Sequence, residues 1–360
     1  MLPYVKINFK NGSIGGADPM DDGVTLMFLS GYTFANEIDC QTYDDFLTQS
    51  DNVDAKEVAA FYNEVNGKSR LIVVADDSPT DTEIKELLSK YRGEVRNVVV
   101  PNATQQAITN LQNVGEWAAN TLFAPVMFVC NLAASYYDEN PDVKTLGRNR
   151  VAVVDNVVDQ NDVPLLYYVA GRLAKSPVQR SLARVKDGAI YATELYTNST
   201  KTVLVDNLYA DTKHNLGFIT ARVYQGKAGY YFSDDLLATS QSDDYALIPR
   251  RRTIDKAYRI AYKTLVDYIG DEIPITSNNT IPATICKDIE NAVERQIELL
   301  MTNNGNLGVD PDNLEDTGVK CYVNPEQDVV STSKLNVDLL VKPYGYTKYI
   351  EVNLGFSTSM

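Results

Sequence analysis

The sequence predicts an α/β (α+β mixed) fold. A mostly parallel α/β sheet region is followed by an α+β C-terminal domain with two long helices, and extended β-strand arms lie at both termini. Three observations carry this expectation. Short apolar runs alternate with amphipathic helical stretches between residues 54 and 175, the rhythm of strands joined by crossover helices. Two long stretches of helical periodicity follow residue 250, and strict two-residue alternation marks both ends of the chain.

The first expected helix covers 54–66, with Asp54 and Glu57 spaced as a capping box and Gly67 as its stop. Leu71–Ala75 is a continuous apolar run, as in a strand covered on both faces. Thr80 and Glu83 make a second capping box, and Ile84, Leu87, Leu88 and Tyr91 then form a helical face that Gly93 closes. A strand is expected at 95–100, and a helix follows with Ala107, Leu111, Val114, Ala118 and Leu122 on one side. Further strands are expected at 126–129 and 151–154, and Pro164 opens a helix to about Lys175. From residue 187 the pieces are short and β-like, at 189–195, 202–205, 217–224 and 228–232. One long helix then carries Ile254, Tyr258, Ala261, Leu265 and Ile269 on a face, and a second carries Ile285, Ile289, Val293, Ile297 and Leu300. A closing pair of strands is expected from the alternation of Leu335, Val337, Leu339 and Val341, and of Ile350, Val352, Leu354 and Phe356.

Composition removes several function classes. With 33 Lys and Arg against 48 Asp and Glu, the net charge is −15, so a phosphate-tracking nucleic-acid binder is not expected. The longest apolar run, at 122–130, contains Pro125 and falls far short of the ~20 residues a bilayer span needs. No membrane insertion is expected, and the first ten residues lack the apolar core of a secretion signal. Cys40, Cys130, Cys286 and Cys321 are widely spaced and read as core thiols, with no metal or cofactor implied.

The common catalytic patterns are absent from the sequence. No GxGxxG dinucleotide loop and no Gly-x-Ser-x-Gly elbow occurs. The segment from Gly171 to Ser176 lacks the glycines a phosphate loop needs, with Val169 and Ala174 in their places. His214, the single histidine, falls in a polar stretch expected to be an exposed turn. The paired acids Asp21-Asp22, Asp234-Asp235 and Asp243-Asp244 and the acidic stretch 310–316 read as solvated turns. An enzyme is therefore not expected.

What remains are arms and a cation cluster. Val5, Ile7 and Phe9 lie on one side of an N-terminal strand, as Ile350, Val352, Leu354 and Phe356 do near the other end. Strands with one apolar face need a sheet edge, in their own subunit or in a neighbour's. Arg250, Arg251 and Arg252 precede the first long helix and Lys256 and Arg259 follow in its first turns, opposing that helix's dipole. They are either a solvated run or a surface for an anionic partner. From about residue 150 the chain resembles the sheath proteins of contractile phage tails and contractile injection systems. The likeness rests on Val169-Ala-Gly-Arg-Leu-Ala-Lys-Ser-Pro177-Val-Gln-Arg, on the turn Tyr224-Gln-Gly-Lys-Ala-Gly-Tyr, on Pro249-Arg-Arg-Arg252 opening a long helix, and on the second helix and closing strands.

That resemblance implies a structural subunit polymerising as stacked hexameric rings around an inner tube and contracting to drive the tube through a cell envelope. Its partners would be further copies of itself, the inner tail-tube protein, and the baseplate and tail terminator. It would reside in a virion tail made in the bacterial cytoplasm, or in an injection-system particle. Residues 1–22 would be an N-terminal arm and hinge with Gly12, Gly15 and Gly16, and 23–240 an outer α/β and β region. Residues 241–345 would be an inner domain with Arg250, Arg251, Arg252, Lys256 and Arg259 toward the tube, and 346–360 a C-terminal arm beside the hinge residues Pro343 and Gly345. The competing expectations are a non-contractile virion or surface-layer protein, and an α/β enzyme with an unconventional site.

Overall fold

Thr25–Leu29 (β1), a fully buried run that the periodicity passes over, organises the first part of the molecule. It is followed by β2 (Ile38–Cys40), α1 (Tyr43–Gln49), α2 (Lys56–Val65), β3 (Leu71–Ala75), α3 (Asp81–Lys90), β4 (Asn97–Ala103) and α4 (Gln105–Thr121). Then come β5 (Met127–Leu132), the one-turn α5 (Ala134–Tyr137) and β6 (Val151–Val154). They form a six-stranded sheet in the order β2-β3-β1-β4-β5-β6, parallel except for β2 at one edge. This computed structural model describes residues 22–197, 201–278, 280–352 and 354.

Alternate residues of β1 enter two separate cores. Met27 and Leu29 join Phe46, Phe61 and Leu166 on one face, whereas Leu26 and Phe28 join Ile84, Leu111 and Val114 on the other. The parallel sheet is thus covered on both sides, the arrangement its continuous apolar strands require. Thr80 and Glu83 form their capping box, Glu83 accepting from the Thr80 amide at 2.8 Å. Asp54 and Glu57 do not. α2 starts one residue later behind Ala55, and Asp54 accepts from the Tyr43 hydroxyl at 2.8 Å.

Past β6 the expected run of β pieces shrinks to two-residue pairings: β7 (Val158–Asp159) with β8 (Leu195–Tyr196), and β9 (Ala221–Arg222) with β10 (Tyr231–Phe232). Between β7 and β8 lies α6 (Leu165–Lys175). Between β8 and β9 the stretch read as a turn is α7 (Leu208–Asn215). Gly171 lets α6 touch α2, since an added Cβ would come within 2.5 Å of the Phe61 carbonyl oxygen. The Val169-Ala-Gly-Arg motif is therefore a packing device: Arg172 beside it is buried and pairs with buried Glu64 of α2.

The long helix α8 (Ile248–Leu265) begins six residues ahead of its first expected apolar position. Contacts divide the described chain into one compact unit reaching Lys263 and another from Thr264. The boundary expected at 240/241 thus falls inside the first unit, because the first turns of α8 pack there. The second unit holds α9 (Ala283–Ile297), β11 (Val319–Val323), the short α10 (Val329–Thr332) and β12 (Val337–Val341). Among the described residues the closing pair is β11 with β12, Cys321 opposite Leu339, while the strand expected at 349–356 lies partly outside them. Ile281, Cys286, Ile289 and Val323 form its small core.

Candidate assembly surfaces

Of the five cations expected on a partner-facing surface, four are engaged inside the first unit. Arg251 donates to Asp255 at 2.5 Å, and Asp255 also accepts from Arg150 at 3.2 Å. Arg252 donates to the Leu173 and Ser176 carbonyls at the C-terminal end of α6, at 3.0 and 3.1 Å. Lys256 and Arg259 both pair with Asp22, at 2.6 and 2.7 Å. The reason is electrostatic. The last carbonyls of a helix have no intrahelical partner and carry partial negative charge, so cations belong there. The cluster opposes the dipole of α8 itself but satisfies α6 and two carboxylates. An exposed anion-seeking patch is therefore the wrong description of Arg251, Arg252 and Lys256, all buried. Arg250 is half-buried and has no ion pair among the described residues.

The outward residues of α8 are instead Tyr258, Tyr262 and Lys263. Tyr262 stacks on Phe123, with ring centroids 4.6 Å apart and planes within 8°. Phe123 holds φ at +53°, a left-handed conformation uncommon for a bulky side chain.

A buried polar cluster lies just past β6, at the sheet end where α/β enzymes place ligands. Asp155 accepts from Tyr137 and Thr220 hydroxyls at 2.6 Å and from Tyr209 at 3.1 Å. Burial pushes its carboxyl above the ordinary range, those hydroxyls opposing the shift. Lys213, pushed down by burial, stands 3.8 Å above the Tyr137 ring and donates to Asn140 at 3.0 Å. His214 is on α7 with Nδ1 3.9 Å from Asp234, not in the exposed turn expected of it. Surface depressions of ≈ 440 and ≈ 380 Å³, lined around Lys144 and Thr239 and around Ser78 and Asn110, include none of these groups. The cluster staples α5 and α7 to the sheet.

The acids singled out in the sequence also hold local structure. Asp243 accepts from Asn149 and Thr239 at 3.1 Å, and Asp316 accepts from the Asp310 amide at 2.8 Å and from Lys342 at 2.6 Å. No group of three or more His, Cys, Asp or Glu side chains able to hold a metal occurs among the described residues.

The second unit presents the sheet edges. Residues pointing the same way along a strand recur every second position, so Val319, Cys321 and Val323 turn their amides away from β12. Two of those amides are occupied: Glu294 accepts from Cys321 at 2.7 Å and Glu290 from Val323 at 2.9 Å. Burial pushes the Glu290 carboxyl upward, but Lys287 and the Val323 amide outweigh it and hold it below the ordinary range. On β12, Val337, Leu339 and Val341 likewise turn outward, and their backbone groups have no hydrogen-bond partner among the described residues.

Ile350, Val352 and Leu354 lie beyond that edge in the chain, exposed by 78%, 77% and 95%, and are in no strand. An added Cβ on Gly345 would meet nothing within 4 Å. Val5, Ile7, Phe9 and Phe356, the glycines Gly12, Gly15 and Gly16, and Asp21 lie outside the described residues. The sequence reading missed Glu290 and Glu294. Their signal is an i, i+4 spacing beside the apolar stripe of Ile289 and Val293.

Comparison with known proteins covers nearly the whole chain. The model for the DUF2586 N-terminal domain matches residues 2–236, and that for the DUF2586 C-terminal domain matches 244–360. Among solved structures, a chain of the anti-feeding prophage (AFP) baseplate superposes with a TM-score of 0.66 at 14% identity, covering 99% of each chain. A chain of the contracted-state PVC sheath complex, from an extracellular contractile injection system, gives 0.64 at 14% identity, covering 99% of this chain and 98% of that one. The sheath tail protein of Desulfitobacterium hafniense gives 0.55 at 11% identity, over 95% of this chain and all of that one. No curated protein sequence matches. At these identities the likeness establishes a shared fold.

Proposed function

The chain belongs to the DUF2586 family, and on that footing we propose that it is a non-enzymatic structural subunit of a contractile sheath, in a phage tail or an injection-system particle. The observation that carries the reading is the outer edge of β12, which has no partner among the described residues, in a chain whose Ile350, Val352 and Leu354 are exposed and in no strand. The likeness to sheath and baseplate chains over nearly their full lengths supports it.

In this reading, copies of the chain stack as hexameric rings around an inner tube, between a baseplate and a tail terminator. Val5, Ile7 and Phe9 at one end, and Ile350, Val352, Leu354 and Phe356 at the other, add as strands to neighbouring subunits. About six ladder bonds at about 1 kcal/mol each would hold neighbours together. Pro343 and Gly345 let the second arm swing while subunits move as rigid bodies during contraction. Burying ~200 Å² more apolar surface per subunit in the contracted state would release about 5 kcal/mol, without nucleotide hydrolysis. α8 remains the candidate tube-facing helix. Its contact would fall to Arg250 and to the Tyr258–Tyr262–Phe123 face, while Arg251, Arg252, Lys256 and Arg259 hold the helix in place.

Negative-stain electron microscopy of the purified chain, with and without residues 1–10 and 347–360, tests this. Hollow tubes of uniform width that vanish on either truncation, with the subunit still folded, are expected. A small monodisperse oligomer under every condition would overturn the reading.

A further inference from the structure

We propose that Asn66 is a modification site: its side-chain amide is lost spontaneously, leaving aspartate and β-linked isoaspartate at the C-terminal end of α2. The Gly67 backbone nitrogen attacks the Asn66 side-chain carbonyl carbon, and the Gly67 amide proton leaves with the side-chain NH2 as ammonia. The succinimide so formed takes up one water at either of its carbonyls. The chain thereby gains one carboxylate and continues through the backbone carbonyl or the side-chain carbonyl of residue 66.

Two Asn-Gly pairs lie among the described residues, Asn66-Gly67 and Asn304-Gly305, and both asparagines are exposed. A glycine following asparagine has no side chain to shield the attacking nitrogen. Exposure does not separate the two pairs, but hydrogen bonding does. At the second pair the Gly305 amide donates to the Thr302 carbonyl at 2.9 Å, and the Asn304 side chain donates to the Leu300 carbonyl at 3.0 Å. Nucleophile and electrophile are both tied, so two bonds must open before they can meet. At the first pair neither the Gly67 amide nor the Asn66 side chain has a hydrogen-bond partner among the described residues.

Asn66 is the left-handed cap of α2, at φ +52° and ψ +48°, held by its own amide on the Tyr62 carbonyl at 2.9 Å. Turning ψ to bring the Gly67 nitrogen onto the side chain leaves that bond in place. Exposed Gly67 and Lys68 absorb the turn before Ser69, whose amide is fixed to the Gln41 carbonyl at 3.2 Å. The product suits the site less well than asparagine does. A carboxylate there faces the partial negative charge of the last α2 carbonyls, and the β-linked form lengthens the backbone two residues past Glu64, the buried partner of Arg172.

Peptide mass spectrometry of the full-length chain, aged in mildly alkaline buffer and separated so that aspartate and isoaspartate are resolved, reads the site directly. Conversion at Asn66 with the β-linked product present is expected. Asn304 should react about 30-fold more slowly, the factor for opening two hydrogen bonds first. In urea the two sites should converge. Gly67 holds no positive φ and an added Cβ would meet nothing within 4 Å, so Gly67→Ala should fold normally and slow the conversion at Asn66. The aged chain should show a folded-to-unfolded ratio lower by about 2–5-fold, the effect of an anion at a helix C-terminus. An Asn66 that stays intact in the folded chain while the unfolded chain reacts would overturn the proposal, as would equal rates at both sites in the folded chain. A difference that persists in urea would assign the preference to flanking sequence and overturn the structural argument. Aspartate without isoaspartate would overturn attack by Gly67.

Discussion

The two compact units solve the edge problem of β-sheets in opposite ways. In the first unit both faces of the sheet are covered by helices, and both edges are blunted. β2 is three residues long, and the outer edge of β6 is met by Ile219 and Ala238, whose amides donate to Val153 and Val151 at 2.9 and 2.8 Å. Its buried charges find each other, as Glu64 does Arg172. The second unit has one two-stranded sheet on one helix, with Tyr322, Val330 and Leu340 exposed. A lone hairpin is marginal in water. Among the described residues the first unit leaves no long sheet edge open, whereas the second leaves the outer edge of β12 without a partner.

The largest effect expected is on the closed unit. Arg172→Ala leaves the buried Glu64 carboxylate with Lys175 as its one remaining ion pair among the described residues, at a cost of about 3 kcal/mol, read as a lower urea midpoint. Next, Arg252→Ala leaves the α6 carbonyls without their donor and should cost about 1–3 kcal/mol, whereas Arg250→Ala should stay within about 0.5 kcal/mol. Equal effects at the two arginines would show that the α8 cations are not divided between internal and outward roles.

Acid response separates two carboxylates by sign, Asp155 of the first unit and Asp316 of the second. Asp155 titrates above its unfolded value of about 3.9, so between the two values the folded chain holds a proton that the unfolded chain has released. The stability that Asp155 contributes therefore falls as pH rises through that window and is level above it. Asp155→Asn should abolish the slope in pH-dependent denaturation. Asp316 is held down at about 2, chiefly by Lys342, so its contribution is present above about 3.9 and lost as pH falls toward 2. Lys342→Ala should remove that acid-side loss. The smallest effect on folding is expected from Val352→Asp, an exposed site: thermal unfolding moves little, while tube formation in electron micrographs is lost.

The first unit was largely legible because its signals are local. The apolar runs at 71–75 and 151–154 and the Thr80–Glu83 box report on their own surroundings. β1 was passed over because Thr25-Leu-Met-Phe-Leu29 is buried on both faces and alternates nothing. β11 was hidden because Tyr322, exposed on the solvent face, breaks the polar side of its alternation. The cation cluster misled because its counter-charges, Asp22 and the end of α6, are about 230 and 80 residues away, beyond any periodicity. The β12 alternation was legible. Which edge it leaves open was not, since that depends on two side chains reaching across from α9.

Amide hydrogen exchange at Val337, Leu339 and Val341, compared between the assembled and the dissociated full-length chain, tests the central claim most directly. Strand addition predicts that all three amides exchange freely in the dissociated chain and become protected together on assembly, while Cys321 and Val323 are protected in both. Polymers in which Val337, Leu339 and Val341 still exchange freely would contradict it.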